Sequence, residues 1–128
     1  MTCLEKIIYY HDTDCGGVVY YANYLKYLEE GRTEFLRSGG ISLKELTDKN
    51  IFFVVANLEV AYKSSARYQD KIQIFTEIEE VKTASIRYGQ TIKKGETTLV
   101  EAKTTVVCIS SEFKPKPLPP DIKKILLP

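Results

Sequence analysis

The chain lacks several features that would assign it to other classes of protein. It has no tryptophan, a single histidine, and three cysteines (Cys3, Cys15 and Cys108) without CxxC spacing. An odd number of unpatterned cysteines argues against a disulfide framework or a zinc site and favours a reducing compartment. No apolar run approaches the length of a membrane span, and Glu5 and Lys6 interrupt any signal-like start. The sequence therefore predicts a cytoplasmic protein without a membrane span.

The chain also lacks an excess of positive or negative charge. The chain carries 18 Lys+Arg against 17 Asp+Glu, so no bulk field favours nucleic acid or an anionic membrane surface. At 128 residues we expect one domain over residues 1–128. A chain of this length buries one core with little spare surface, so a homo-oligomer is a reasonable expectation.

Hydrophobic periodicity predicts one long helix and several strands. Apolar residues recur at three-or-four spacing from Ala22 until the pair Gly39-Gly40, which suits a helix end. A shorter helix is predicted to begin at Ser42, where Glu45 follows with the spacing of a capping box. The face expected to be buried consists of Tyr24, Leu25, Leu28, Gly31, Arg32 and Phe35. Gly31 has no side chain, so we expect it to allow a close approach of the helix to the sheet.

Alternation of apolar and polar residues predicts strands on both sides of the long helix. The expected strands are residues 2–10, 52–62, 71–81, 84–93 and 97–110, with a last turn of helix at 122–126. Short links predict antiparallel neighbours. The fold class is therefore α+β, with one helix against a sheet of about five strands. The helix cannot cover both faces, so the outer face should contact another subunit or remain polar.

The most informative stretch runs from Tyr9 to Leu36. It carries the only histidine, two aspartates one residue apart, a glycine pair and then the long helix. Asp14 lies a few residues ahead of the helix start, where unpaired N–H groups and partial positive charge favour an anion or a polarised carbonyl oxygen. A carboxylate beside such groups indicates a hydrolytic site, although aspartate is also a routine turn residue.

Several neighbours of Asp14 are candidates for supporting roles. Gly17 belongs to a glycine pair that allows the backbone to approach a ligand closely. Asn23 is placed to cap the helix or to pin the loop. Thr13 would orient the Asp14 carboxylate or serve as a turn hydroxyl, and Tyr21, at the helix entrance, would line the pocket for a ligand.

His11 and Cys15 suggest other chemistry that the pattern does not support. His11 is a candidate for the substrate pocket, and it could also be a general base, or a metal ligand together with Asp12 and Asp14. Three ligands within four residues are too close for an ordinary site without a remote fourth ligand, so no metal is predicted. Cys15 has no positioned histidine base that would activate it as a nucleophile.

Two motifs resemble those of a known enzyme family. The run Tyr10–Leu25 (YHDTDCGGVVYYANYL), followed by Glu29 and Arg32–Glu34, is similar to the signature of hotdog-fold acyl-CoA thioesterases. The nearest classes are the 4-hydroxybenzoyl-CoA thioesterase family and the thioesterases associated with the Tol-Pal system. The segment Asn57–Asp70 (NLEVAYKSSARYQD) resembles the family's second strand and the turn after it.

This resemblance implies a hotdog fold, in which a curved antiparallel sheet of about five strands wraps around the long helix. It implies a homodimer or homotetramer with active sites at the subunit interface. Asp14 would be the catalytic carboxylate, and a backbone N–H near Tyr21 would polarise the thioester carbonyl. Tyr21 stands where Tol-Pal-type enzymes usually carry histidine and the hydroxybenzoyl-CoA enzyme carries tyrosine, which leaves the substrate class open.

The implied reaction is hydrolysis of an acyl-CoA to a free acid and CoA, without a cofactor. The acyl group would be aromatic or a short to medium aliphatic chain, on CoA or on an acyl carrier protein. Asp14 would act as a nucleophile or as a general base. Turn placement suggests Arg67, Lys63 and Lys82 as partners of the CoA phosphates. The alternatives are a hotdog hydratase or dehydratase and a non-catalytic acyl-CoA-binding module.

Overall fold

A five-stranded antiparallel sheet forms the frame of the molecule. The computed structural model describes residues 1–127. Its strands are β1 (Thr2–Ile7), β2 (Phe52–Tyr62), β3 (Lys71–Val81), β4 (Ser85–Lys94) and β5 (Thr97–Ile109), in the sheet order β1-β3-β4-β5-β2. The predicted α+β class is confirmed. Three register shifts, which are β-bulges or local irregularities, interrupt the β2–β5, β3–β4 and β4–β5 pairings, and such irregularities bend a sheet.

The order of the strands differs from the simplest reading of the sequence. β2 and β3 are consecutive in the chain, but β2 pairs with β5 and forms one edge of the sheet, while β3 pairs with β1 and β4. β1 is also shorter than expected, because the chain leaves the sheet after Ile7 and forms a 3-10 turn at Tyr10–Asp12. This turn directs the following loop towards the start of the long helix.

The long helix α1 spans Asn23–Ser38 and covers the inner face of the sheet. Tyr24, Leu28 and Gly31 are buried as predicted. The buried stripe is rotated, however, because Leu25 is 37% exposed whereas Tyr27 is only 2% exposed. Each large side chain buried in this way contributes about 1.5–3 kcal/mol before the entropic cost is counted.

Gly31 allows the closest approach between α1 and the sheet. A Cβ atom at this position would lie 2.7 Å from Ile74 Cγ2, and 2.9 Å from both Gln90 Nε2 and Thr76 Oγ1. Gln90 in turn donates hydrogen bonds to the Leu28 carbonyl at 2.9 Å and to Thr76 Oγ1 at 3.0 Å. The close approach of α1 to the sheet that the sequence predicts is therefore present. It lies next to a small buried network of hydrogen bonds formed by Gln90, Thr76 and the Leu28 carbonyl.

Two short helices close one end of the core. Helix α2 spans Leu43–Asp48, and Ser42 Oγ caps it by accepting the Glu45 N–H at 3.4 Å. Helix α3 spans Pro120–Leu126 and packs Ile125 against Gly39 at the end of α1. None of the helices within residues 1–127 is both long and apolar enough to cross a membrane.

The outer face of the sheet is polar. Cross-strand ion pairs join Lys63 to Glu101 at 3.3 Å, Arg87 to Glu79 at 3.4 Å and Lys103 to Glu79 at 3.6 Å. Exposed pairs of this kind contribute little stability, about 0–1 kcal/mol each, but they keep the face soluble. The outer face is therefore polar in the protomer, and its contact with another subunit stays a prediction.

Candidate active site

The loop that carries Asp14 is a tight hairpin. The Asp14 N–H donates to the Val18 carbonyl at 2.9 Å, and the Tyr20 N–H donates to the Asp12 carbonyl at 3.0 Å. Gly17 lies at the tip of the hairpin with a φ of +81°, a backbone conformation that residues other than glycine rarely adopt. The geometry of this loop is therefore fixed mainly by its own backbone.

The Asp14 side chain is held at one oxygen only. Its Oδ1 accepts the Gly16 N–H at 2.7 Å, and Oδ2 has no hydrogen-bond partner among residues 1–127. The residue is exposed on the surface of the protomer. One carboxylate oxygen is thus oriented by the loop, and the other is available to a substrate or to a water molecule.

Asp12, by contrast, anchors the loop. It is only 7% exposed, and its Oδ2 accepts the Tyr9 N–H at 2.8 Å. Its backbone carbonyl accepts the Asn23 side-chain amide at 2.9 Å as well as the Tyr20 N–H. Asn23 therefore pins the loop to the start of α1, which is one of the two roles expected for it. The two aspartates therefore differ: Asp12 is buried and stabilises the loop, whereas Asp14 is exposed and keeps one carboxylate oxygen free.

The same loop is attached to the turn between β2 and β3. Val19 N–H donates to the Ala66 carbonyl at 2.9 Å, and Val18 forms an isolated β-bridge with Arg67. The Ala66 N–H donates to the hydroxyl of Tyr24 on α1, also at 2.9 Å. Burial raises the pKa of Tyr24, although this hydrogen bond opposes the shift, so the phenol stays neutral. Loop, helix and sheet are therefore joined at one point.

The start of α1 offers backbone donors close to this loop. The Asn23 N–H donates to the Tyr20 carbonyl at 2.9 Å and the Tyr24 N–H donates to the Tyr21 carbonyl at 3.3 Å. The N–H groups of Tyr21 and Ala22 have no hydrogen-bond partner within the described part of the chain. Two free amides at a helix start can hold an oxygen atom that carries negative charge.

Aromatic rings cluster around the Tyr21 side chain near the start of α1. The Tyr21 ring lies 5.1 Å from the Tyr20 ring and 5.9 Å from the Tyr62 ring, and Tyr62 also lies 5.9 Å from Tyr24. Tyr62, at the end of β2, was not among the sequence candidates. The signal that could have identified it is its place in the segment Asn57–Asp70, which resembles the family's second strand and the turn after it.

His11 and Thr13 make their side-chain contacts with residues other than Asp14. The His11 ring is exposed, stacks on Tyr9 at 6.0 Å, and places Nε2 3.8 Å from the Oδ1 of Asp12. Thr13 Oγ1 donates to the Tyr10 carbonyl at 2.7 Å and is therefore the turn hydroxyl. The group that orients Asp14 is the Gly16 amide rather than the Thr13 side chain.

The three basic candidates do not come together in one protomer. Arg67 lies beside the Asp14 loop and makes no side-chain ion pair with the residues described. Lys63 pairs with Glu101 on the outer face. Lys82 follows the far end of β3 and pairs with Glu80 at 3.3 Å. Of the three, only Arg67 is placed next to the loop.

A curved antiparallel sheet around a single long helix, with a carboxylate loop ahead of the helix start, defines the hotdog class of thioesterase fold. The chain belongs to the thioesterase-like superfamily, whose family model matches residues 9–126. The expected fold and family are thereby confirmed, and the protein is an enzyme of the thioesterase class.

Individual relatives support this assignment. The chain is 41% identical over 117 residues to the acyl-CoA thioester hydrolase YbgC of Escherichia coli O6:H1, covering 90% of this chain and 87% of the relative. It is 36% identical over 118 residues to the acyl-CoA thioesterase YbgC of Haemophilus influenzae, covering 91% and 87%. The crystal structure of the DHNA-CoA thioesterase from Staphylococcus aureus aligns with a TM-score of 0.91 at 27% identity, covering 97% of this chain and 87% of that one.

Proposed function

We propose that the protein hydrolyses an acyl-CoA thioester to the free acid and CoA, with Asp14 as the reacting carboxylate. The observation that carries this proposal is a half-free carboxylate on the hairpin that leads into α1, together with two free amides at the start of that helix. The names of the relatives in Escherichia coli and Haemophilus influenzae support acyl-CoA as the substrate.

Two routes use this arrangement. In the first, an Asp14 oxygen attacks the thioester carbonyl carbon, the thiolate of CoA leaves, and water then cleaves the mixed anhydride and regenerates the carboxylate. In the second, Asp14 takes a proton from water while the resulting hydroxide attacks the carbonyl, and the departing thiolate recovers the proton. In both, the Tyr21 and Ala22 amides would stabilise the negative charge that develops on the carbonyl oxygen.

We further propose that the working enzyme is at least a dimer. β2 is an edge strand, and its middle residues 55–59 are exposed, including Val55 at 52% and Leu58 at 38%. An exposed apolar edge strand is a template for pairing with a second copy. Because Tyr62 at the end of β2 contacts Tyr21, such pairing would bring the partner to the exposed side of the Asp14 loop.

Arg67 is the proposed contact for a phosphate of CoA. It lies on the turn that is bridged to Val18, and its guanidinium is not engaged by a carboxylate of the described chain. Guanidinium groups bind phosphate through paired N–H donors. Lys63 and Lys82 are occupied by Glu101 and Glu80 in the protomer, which makes them weaker candidates.

The test is thiol release from a panel of aromatic and aliphatic acyl-CoAs by the wild type and by Asp14→Asn. The asparagine keeps the oxygen that accepts the Gly16 amide but removes the charge. We expect kcat to fall by about two to four orders of magnitude, the usual span for a reacting group. Asp48→Asn, which changes an exposed aspartate on α2, is the matched control and should keep wild-type turnover.

Full turnover in a folded Asp14→Asn variant would overturn the assignment of Asp14. Loss of activity in His11→Ala with activity retained in Asp14→Asn would instead favour a hydratase or dehydratase. CoA binding without thiol release from any thioester would favour a non-catalytic binding module.

A further inference from the structure

A second group of polar side chains lies away from the Asp14 loop, in a cavity of about 160 Å³ between α1 and the β2 edge of the sheet. Most of its wall is apolar and includes Leu36, Phe53 and Val55, but Arg32 and Tyr88 also line it. An apolar cavity of about 150 Å³ in another protein binds benzene, so this space suits one small organic group.

The Arg32 guanidinium has N–H donors in this cavity that make no hydrogen bond with residues 1–127. Its Nη1 donates to Gln90 Oε1 at 3.2 Å, and its other N–H groups have no partner among residues 1–127. No carboxylate within that range forms an ion pair with it, and burial lowers the pKa of its guanidinium. A partly buried cation without an anionic partner is costly, so the free donors call for acceptor atoms from outside the protomer.

Tyr88 supplies a second unpartnered polar group on the same wall. It is 2% exposed, and its hydroxyl makes no hydrogen bond with any residue that the structure describes. Burial raises the pKa of Tyr88 to about 12, although the nearby Arg32 charge opposes the shift. A neutral hydroxyl and a guanidinium on one wall together favour an oxygen that accepts hydrogen bonds.

Glu29 also lines the cavity, but it does not neutralise Arg32 by direct pairing. Its Oε1 accepts the Thr33 hydroxyl at 3.1 Å. Glu29 contributes a weaker, longer-range attraction that keeps Arg32 charged. Glu29 thus offsets part of the Arg32 charge without occupying its donors, so Arg32 and Tyr88 remain the hydrogen-bond donors that the cavity offers to a ligand.

The position of the cavity connects it to the Asp14 loop through a second copy of the chain. If two β2 strands pair antiparallel about their exposed residues 55–59, the N-terminal half of one strand lies opposite the C-terminal half of the other. Phe53, which lines the cavity, then lies opposite Ala61 of the other strand, next to Tyr62, which contacts Tyr21 beside the free amides. The cavity of one protomer would thus adjoin the Asp14 loop of its partner.

We propose that this cavity receives the far end of the acyl group, and that Arg32 and Tyr88 select acyl groups ending in a carboxylate. This rests on the proposed function and its dimer. The thioester carbonyl lies at the Asp14 loop of one protomer, and the terminal carboxylate of a dicarboxylic acyl group accepts hydrogen bonds from Arg32 and Tyr88 of the other. Arg32 acts here in binding and not in the chemical step.

The experiment compares glutaryl-CoA with pentanoyl-CoA, which have five-carbon acyl groups with and without a terminal carboxylate. The wild type should have the higher kcat/KM for glutaryl-CoA. In Arg32→Leu the ratio of the two kcat/KM values should fall about 10- to 100-fold, as expected when one charged hydrogen-bonding partner is removed. Tyr88→Phe, which keeps the ring, should lower the ratio about two- to tenfold. Arg37→Leu, on the exposed side of α1, is the matched control and should leave the ratio unchanged.

Two results would overturn the proposal: an equal loss of kcat/KM on both substrates in Arg32→Leu, or a wild-type preference for pentanoyl-CoA. Arg32 would then have only a structural role, its hydrogen bond to Gln90. Arg32→Lys keeps the charge and should retain part of the preference, which guards against a simple folding defect. Absence of thiol release from both substrates and from the wider panel of acyl-CoAs would mean that the proposed function has failed. Calorimetric binding of glutarate to the wild type but not to Arg32→Leu would then still support the site, and equal binding would overturn it.

Discussion

The Asp14 loop and the contact between α1 and the sheet are organised by opposite means. In the loop, backbone hydrogen bonds hold Asp14 while the carboxylate itself stays exposed. Around Gly31, packed side chains leave no space for even one added carbon atom. The geometry of the loop therefore depends on a few hydrogen bonds between polar atoms. The contact between α1 and the sheet depends instead on close packing of side chains. Changes in the loop should alter turnover, and changes at the contact should alter stability.

Gly31 gives the largest expected effect on stability. A Cβ atom would overlap Ile74, Thr76 and Gln90, and these neighbours are themselves buried. Gly31→Val should lower the free energy of unfolding by about 3 kcal/mol, because overpacking a close contact costs about 1–3 kcal/mol or more. Gly31→Ala should lose about 1–2 kcal/mol, since its better helix propensity offsets part of the clash. Urea denaturation followed by circular dichroism measures both.

The separation of loop and contact predicts that the folded fraction of Gly31→Ala hydrolyses substrate at the wild-type rate. A fall in kcat as large as that of Asp14→Asn, at full folding, would show that the two regions are coupled. Unchanged stability in Gly31→Val would show that the sheet can move away from α1 at little cost.

Sequence reasoning located the loop, the helix and the strands because each has a strong local signal. Alternation identified β3, and the close approach of Gly31 followed from a glycine on a helix face. The buried stripe of α1 was misplaced because Leu25 and Tyr27 both fit a three-or-four spacing, and only the neighbouring sheet distinguishes them. The edge position of β2 depends on a long crossover, for which the chain has no local signal.

The candidate site shows the same division between local and long-range information. The sequence placed Asp14 on a loop ahead of the helix and offered two roles for Asn23, and the structure shows the loop and the pinning role, since these residues lie within one hairpin and the helix that follows. The catalytic role of Asp14 stays a prediction. The motif did not predict that Gly16 orients Asp14, which depends on the turn geometry. Lys82 and Arg67 were both predicted as phosphate contacts because each lies in a turn. They lie at opposite ends of β3, however, so the length of that strand keeps them apart.

Asp12 tests whether the loop geometry matters for turnover in addition to Asp14 itself. Its buried carboxylate accepts the Tyr9 N–H, so Asp12→Ala leaves that amide without a partner. We expect a loss of about 1–2 kcal/mol in stability, as for removal of a capping side chain. We also expect kcat/KM to fall about tenfold, because a small misplacement of a reacting group is costly. Thermal unfolding and thiol-release kinetics measure the two effects.

Asp12→Asn is the matched variant, because it keeps an oxygen that can accept the Tyr9 N–H. It should retain most of the stability and activity. If Asp12→Ala lowered stability while kcat/KM stayed at the wild-type value, the hairpin would hold Asp14 without its anchor, and the contrast between the two regions would weaken.

Two buried threonines give the smallest expected effects and test the core side of the contrast. Thr76 Oγ1 accepts the Gln90 amide at 3.0 Å, whereas Thr104 Oγ1 is buried and has no partner among residues 1–127. A buried hydroxyl without a hydrogen bond is destabilising, so Thr104→Val should raise the free energy of unfolding by about 0.5–1.5 kcal/mol. Thr76→Val should lower it by about 1–2 kcal/mol, because Gln90 loses an acceptor. Paired urea titrations that moved both midpoints in the same direction would show that volume alone, and not hydrogen bonding, governs this core.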